Sequence, residues 1–164
     1  MQCEVNAHCS LEAGGSCDTN PESGNRWGSY PDDTCPSGRR WSDLDTGDNL
    51  SGACQPDWTG PMVVSTSPET DGTDVAYDTA MTVTFSEDID AATVDATSFS
   101  VEDDQGRTVM GVVTADGTTA TFTPDAPMSY EGGYTATVTT AVTDTAGNPL
   151  ASNHVWSFTT HLRQ

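Results

Sequence analysis

The 164-residue sequence contains no lysine, and five arginines are its only permanently charged basic side chains. Twenty-five acidic residues face them, so the formal net charge at pH 7 is −20. Nucleic-acid binding requires a basic patch that neutralises phosphates, and the composition therefore argues against a nucleic-acid partner. A strongly acidic surface attracts divalent cations instead, which makes calcium the cofactor to test.

Long hydrophobic runs are also missing. No stretch approaches the roughly 20 apolar residues that a membrane-spanning helix needs. The first three residues are not followed by the apolar core of a signal peptide. We therefore expect no membrane insertion by this segment.

Cysteine is absent after residue 54. The segment before it is poor in apolar residues, a composition that small extracellular segments compensate with disulfides. The spacings contain no Cys-x-x-Cys pair of the zinc-binding type. We predict a disulfide-stapled, loop-dominated segment over residues 1–55, with the pairing open and one cysteine left over. The candidates are Cys3, Cys9, Cys17, Cys35 and Cys54.

Composition changes near residue 60. Residues 56–61 contain two prolines and a glycine, which predict a linker. From residue 62 to 164 threonine, valine and alanine form short alternating runs, clearest between Met81 and Phe85, where every second side chain is apolar. Turn signals such as Asp116-Gly117 separate the runs. Seven runs predict an all-β, seven-stranded antiparallel sandwich of the immunoglobulin type. They are 62–67, 81–86, 98–102, 108–115, 118–123, 133–142 and 154–160.

Several motifs in this region resemble the bacterial Ig-like domain of the S-layer-protein type. They include Thr-Val-Thr-Phe-Ser-Glu at 82–87, Thr-Phe-Thr-Pro at 121–124, Asp-Thr-Ala-Gly-Asn-Pro-Leu at 144–150 and the closing Trp-Ser-Phe-Thr-Thr at 156–160. The resemblance implies a module of a bacterial surface-layer protein, adhesin, lipoprotein or secreted hydrolase, without a shared active site. The N-terminal segment resembles, more loosely, the Cys-rich segments of bacterial lipoproteins.

Acidic loops meet at one end of such a sandwich. The loop after the second predicted strand and the loop between the sixth and seventh share that end, where the chain also enters with Asp57. Converging carboxylates and loop carbonyls are the ligands that calcium uses. The predicted ligands are Glu87, Asp88, Asp90, Asp144 and Asn148. The alternative is that aspartate and asparagine occupy these loops as turn formers, so that Asp144 and Asn148 only cap their own loop.

Aromatic side chains in the Cys-rich segment offer a second candidate site. Trp27, Tyr30 and Trp41 could stack on a glycan or contact a protein partner. The alternative is that these rings form the small core of that segment.

No catalytic motif of the nucleophile-elbow, zinc-protease or phosphate-loop type occurs, so we expect no enzyme. We predict an extracellular or cell-surface protein, secreted or lipoprotein-anchored, that acts as a spacer or presenting scaffold. One alternative is an adhesin module that binds a glycan or protein through its Cys-rich segment. Another is a subunit of a surface layer or filament. The expected partners are other domains of a larger surface protein or neighbouring subunits.

Overall fold

The computed structural model describes residues 57–162 throughout and, before them, three strands together with Cys35 and Cys54. The chain folds as two compact units, the first of which ends near Trp58. Within the described residues, no helix has the length and apolar character that a membrane span requires.

The first unit contains a three-stranded antiparallel sheet. Its strands are β1 (Ser16–Thr19), β2 (Arg26–Pro31) and β3 (Arg39–Trp41), in that spatial order. A disulfide joins Cys35, which is buried, to Cys54. The sequence predicted a loop-dominated segment and missed this sheet, because these short strands show no alternation of apolar and polar side chains.

The second unit is a sandwich of two four-stranded sheets. One sheet has the order β5-β11-β10-β7 and the other the order β4-β6-β9-β8. The strands are β4 (Val63–Ser67), β5 (Gly72–Val75), β6 (Met81–Phe85), β7 (Phe99–Asp103), β8 (Gly111–Asp116), β9 (Thr119–Pro124), β10 (Gly133–Val138) and β11 (His154–Thr160). A 3-10 helix, Ala91–Thr93, connects β6 to β7.

The sandwich has eight strands where the sequence predicted seven. The additional strand is β5, which pairs in parallel with β11 through Gly72 opposite Phe158 and Val75 opposite Thr160. Asp71 and Asp74 both adopt positive φ angles near 60° at its two ends. The prediction failed here because a four-residue acidic segment shows no alternation, and the pairing that makes it a strand depends on residues more than 80 positions away.

Two predicted runs extend three or more residues beyond the strands they contain. Within the run 108–115, β8 begins only at Gly111. The residues before it pair with β7 instead, because Thr108 forms a bridge with Glu102 and the Val109 amide donates to the Val101 carbonyl at 2.8 Å. The run 133–142 ends at Val138, after which the chain turns.

Alternation along the strands builds the core. In β6 the side chains of Met81, Val83 and Phe85 are buried, and the threonines between them face outward. Trp156 and Phe158 repeat this pattern in β11. Burying one face of each sheet removes the apolar side chains from water, which is the main force that holds the two sheets together.

The chain enters and leaves this unit at opposite ends. Val63 at the start of β4 pairs with Phe85, at the end that carries the 3-10 helix and the long loop between β10 and β11. β11 begins at that same end, because His154 pairs with Val138 beside this loop. It runs away from that end as far as Thr160, two residues before the described part of the chain stops. Entry and exit are therefore separated by the length of a strand, about 23 Å for seven residues.

Candidate functional site

The two predicted acidic loops meet where the chain enters the sandwich. Ile89 and Asp144 form an isolated antiparallel bridge, and the Asp90 amide donates to the Thr143 carbonyl at 2.9 Å. The Ile89 amide donates to the Gly117 carbonyl at 3.1 Å, which also brings the β8–β9 hairpin to this end. The prediction that these loops share one end of the sandwich is thus confirmed.

Asp144 is the centre of its own loop. It is only 2% exposed. Its Oδ1 atom accepts from the amides of Ala146 and Asn148, both at 2.8 Å, and its Oδ2 atom accepts from the Asn148 side-chain amide at 2.7 Å. Gly147 completes the turn with a φ of 92°, a conformation that glycine adopts without steric cost. Asp144 therefore caps its own loop, as the alternative interpretation of the sequence proposed.

Three carboxylates cluster at this position. Asp57, Glu87 and Asp144 can each offer one oxygen, and these three oxygens lie within 4.8 Å of one another. Asp57 and Glu87 are half-buried beside the buried Asp144. Two ligands on opposite sides of a calcium ion are separated by about 4.6–5.2 Å, twice the usual calcium–oxygen distance. The three oxygens are therefore close enough together to contact one cation of this size.

Electrostatics give the cluster a reason to bind a cation. Like charges a few ångströms apart repel one another, and burial increases that repulsion because less water screens it. A divalent cation placed between the carboxylates would interact favourably with each of them. A carboxylate has about four lone-pair positions, so the three hydrogen bonds that Asp144 accepts leave it able to contribute a further contact.

The structure places the five predicted ligands differently. Glu87 and Asp144 belong to the cluster, and Asn148 contacts Asp144 directly. Asp90 instead caps the 3-10 helix, because its Oδ1 atom accepts from the Ala92 amide at 2.9 Å. Asp88 is exposed and stands outside the cluster. The sequence had placed Asp57 at this end without including it among the ligands.

A glycine brings the entry segment against the long loop. A side chain at Gly60 would meet the Pro149 carbonyl oxygen at once, so the backbones of Gly60 and Pro149 are in direct contact. Only glycine permits such an approach. This contact fixes where the residues just before β4 lie relative to the loop that carries Asp144.

The remaining predicted site residues lie in the first unit. Trp27 and Tyr30 are in β2 and Trp41 is in β3, but their side chains, and with them the predicted glycan contact, lie outside what the structure describes. Among the cysteines, Cys35 and Cys54 form the disulfide and Cys17 is in β1. Cys3 and Cys9 lie outside the described residues.

The sandwich, with its acidic loops at one end, defines an immunoglobulin-like module. Residues 57–160 match the family model described as the bacterial Ig-like domain. The chain therefore belongs to the bacterial Ig-like domain family, and the resemblance inferred from its motifs is confirmed. Because the match begins at residue 57, Asp57 is part of this family domain together with Glu87 and Asp144.

The chain is similar to solved structures at low sequence identity. The structure of CopC from Methylosinus trichosporium OB3b has a TM-score of 0.54 at 15% identity, and the match covers 63% of this chain and 96% of CopC. The N-terminal part of the bacterial S-layer protein SbsC has a TM-score of 0.48 at 24% identity, over 63% of this chain and 24% of that structure. A search of the curated proteins found no match. The likeness to CopC shows a common fold, and at 15% identity it does not transfer a ligand.

Proposed function

We propose that residues 57–164 act as a non-enzymatic spacer in an extracellular or cell-surface protein. The observation that carries this proposal is the placement of entry and exit at opposite ends of the sandwich. A module threaded in this way holds the chain segments on its two sides apart by its own length. The partners would then be other domains of a larger surface protein or neighbouring subunits.

Three further features support this role. Family membership supports a surface module, and the Cys35–Cys54 disulfide supports an oxidising compartment. Two surface grooves of about 330 and 290 Å³ carry no histidine or cysteine in their linings, so neither resembles a nucleophile–base site.

Force spectroscopy tests the spacer directly. When the domain is stretched between its ends, β4 and β11 are pulled along their lengths, and the hydrogen bonds that join them to β6 and β10 are sheared together. A spacer is expected to unfold in one discrete force peak. The contour length should then increase by the length of about 100 extended residues. Gradual extension without a peak would contradict the proposal.

Calcium at the entry end is the second part of the proposal. Bound to the carboxylates of the cluster, the ion would hold together the loops that carry Glu87 and Asp144 at that end of the sandwich. The cluster supplies three of the six to eight oxygens that calcium takes, and water and second carboxylate oxygens would supply the rest.

Calorimetric titration of calcium into chelator-treated protein tests this part. We expect saturable binding with a dissociation constant of about 10⁻⁴–10⁻³ M, the usual range of extracellular modules. Glu87→Gln, which preserves size, should abolish the binding, and the matched variant Asp88→Asn should retain it. No saturable heat at millimolar calcium would refute calcium binding, and equal loss in both variants would refute its assignment to this cluster. Either result would leave the spacer role untouched.

A further inference from the structure

The outward face of the sheet β4-β6-β9-β8 is covered with hydroxyl side chains. Thr82 and Thr84 project from β6, between the buried residues of that strand. The strand pairing aligns them with hydroxyl residues of the neighbouring strands. One row consists of Ser67, Thr82, Thr121 and Thr114, and the next of Ser65, Thr84, Thr119 and Asp116.

This face has almost no charge, although the chain carries −20. The four strands together contain a single charged residue, Asp116, which stands at the end of its row and of β8. On so acidic a protein, an ordinary solvent-exposed surface would be expected to carry several acidic side chains. The hydroxyl face is thus the place where two such molecules could approach with the least repulsion.

Exposed apolar side chains border the hydroxyl face on both edges. At the start of the edge strand β4, Met62 and Val64 are 67% and 66% exposed, and at the start of the opposite edge strand β8, Met110 and Val112 are 71% and 58% exposed. They are four of the eight large hydrophobic side chains that the described residues expose. Their concentration at the borders of one sheet distinguishes this face, because scattered single hydrophobic residues are ordinary.

We propose that the hydroxyl face is a docking surface for the same face of a second copy of this chain. Serine and threonine hydroxyls both donate and accept hydrogen bonds, so a surface made of them is complementary to itself. A two-fold axis would place each apolar border against a border of the partner. The lack of charge on the hydroxyl face also keeps carboxylates out of the middle of such a contact.

The size of the face makes this contact weak. Four strands about 4.8 Å apart and five residues long at about 3.3 Å each cover roughly 19 by 17 Å, or about 320 Å². Stable complexes bury about 800 Å² on each partner. The contact must also overcome the mutual repulsion of two molecules of the same charge. We therefore expect self-association at high concentration, strengthened by salt that screens the repulsion.

Sedimentation equilibrium of the full chain, with free thiols alkylated beforehand, tests the proposal. At about 1 mM protein, a concentration that detects contacts of about 4 kcal/mol, we expect a monomer–dimer equilibrium. Raising sodium chloride from about 0.05 M to 1 M shortens the screening length from above 10 Å to about 3 Å and should tighten the dimer at least tenfold. Contacts built on salt bridges would weaken instead.

Paired variants locate the contact. Thr121→Asp puts a charge at the centre of the face and should lower the association constant at least tenfold, and Thr114→Asp, at the exposed edge of the same row, should do the same. Thr135→Asp adds an identical charge to an exposed position of β10 in the other sheet and should leave association unchanged. Circular dichroism verifies that each variant is folded. A monomer at every salt concentration, or equal loss in Thr135→Asp, would overturn the proposal.

Discussion

Asp144 and Asn148 are joined through both backbone and side chains. The Asn148 amide and its side-chain Nδ2 donate to the two oxygens of the Asp144 carboxylate at 2.8 and 2.7 Å, and the Asp144 amide donates back to the Asn148 carbonyl at 3.0 Å. The pair closes the loop between β10 and β11. It also holds the carboxylate in place beside Asp57 and Glu87, so the same residue shapes the loop and contributes to the candidate metal site.

Replacing Asp144 by alanine should therefore destabilise the domain even without metal. The substitution removes three charge-assisted hydrogen bonds from a buried site and leaves their donors unpaired, which should cost about 2–3 kcal/mol. Urea unfolding in the presence of a chelator measures this cost. The exposed Asp88→Ala serves as the control and should change stability by less than about 0.5 kcal/mol. Equal costs for the two variants would show that the loop does not depend on Asp144.

The contact between Gly60 and Pro149 predicts a second sensitive position. In Gly60→Ala the new methyl group would overlap the Pro149 carbonyl, and overpacking of this kind costs about 1–3 kcal/mol. The matched control is Gly133→Ala, where the nearest atom to the new Cβ is Asp104 Cβ at 3.6 Å, an ordinary contact. Thermal unfolding should separate the two variants, and an unchanged midpoint for Gly60→Ala would disprove the close approach.

The Asp95 carboxyl, in the loop before β7, should make the stability of the domain depend on pH. The Thr97 hydroxyl lowers the pKa of the Asp95 carboxyl most, and the amides of Thr97 and Ser98 lower it further. Oδ1 of Asp95 accepts all three bonds, at 2.6, 2.7 and 3.0 Å. Because the pKa is lower in the folded state, the stabilisation is fully present above the ordinary value of 3.8 and is lost as pH falls through the folded pKa.

Nuclear magnetic resonance of the Asp95 carboxyl carbon measures this shift directly. The titration midpoint should lie below 3.8 in the unmodified protein and move upward in Thr97→Val, which removes the largest cause while keeping the side-chain shape. The stability of Thr97→Val should then change less as pH falls from 3.8 through the folded pKa of Asp95. A midpoint that Thr97→Val leaves in place would contradict the assignment of the hydroxyl as the main cause.

The sequence predicted the features that depend on local pattern. Alternation in Met81 to Phe85 located β6 correctly, and the order of strands alone placed Glu87 and Asp144 at one end of the sandwich. Features that depend on distant partners were missed. β5 is a strand because the C-terminal strand lies beside it, and the Cys35–Cys54 pair depends on how the first unit folds. The close approach of the Gly60 backbone to Pro149 is likewise recorded by no pattern of residue types.

Tyr134 provides the last test, because its ring and its hydroxyl have separable roles. The ring is buried and stacks on Phe158 with centroids 5.7 Å apart, and the hydroxyl accepts from the Ser129 amide at 2.8 Å. Gly132 permits this arrangement, since a Cβ there would lie only 2.8 Å from the Tyr134 ring. Tyr134→Phe keeps the stacking and should cost about 1 kcal/mol, the net value of one hydrogen bond.

Tyr134→Leu removes both the stacked ring and the hydroxyl and should cost more, because the loss of core packing adds to the loss of the bond. Amide hydrogen exchange distinguishes the two effects. In Tyr134→Phe, exchange at Ser129 should accelerate while the core amides of β10 keep their protection relative to global stability. If Ser129 exchanges at the same rate with and without the hydroxyl, the bond does not hold the β9–β10 loop, and the ring alone explains why tyrosine occupies this position.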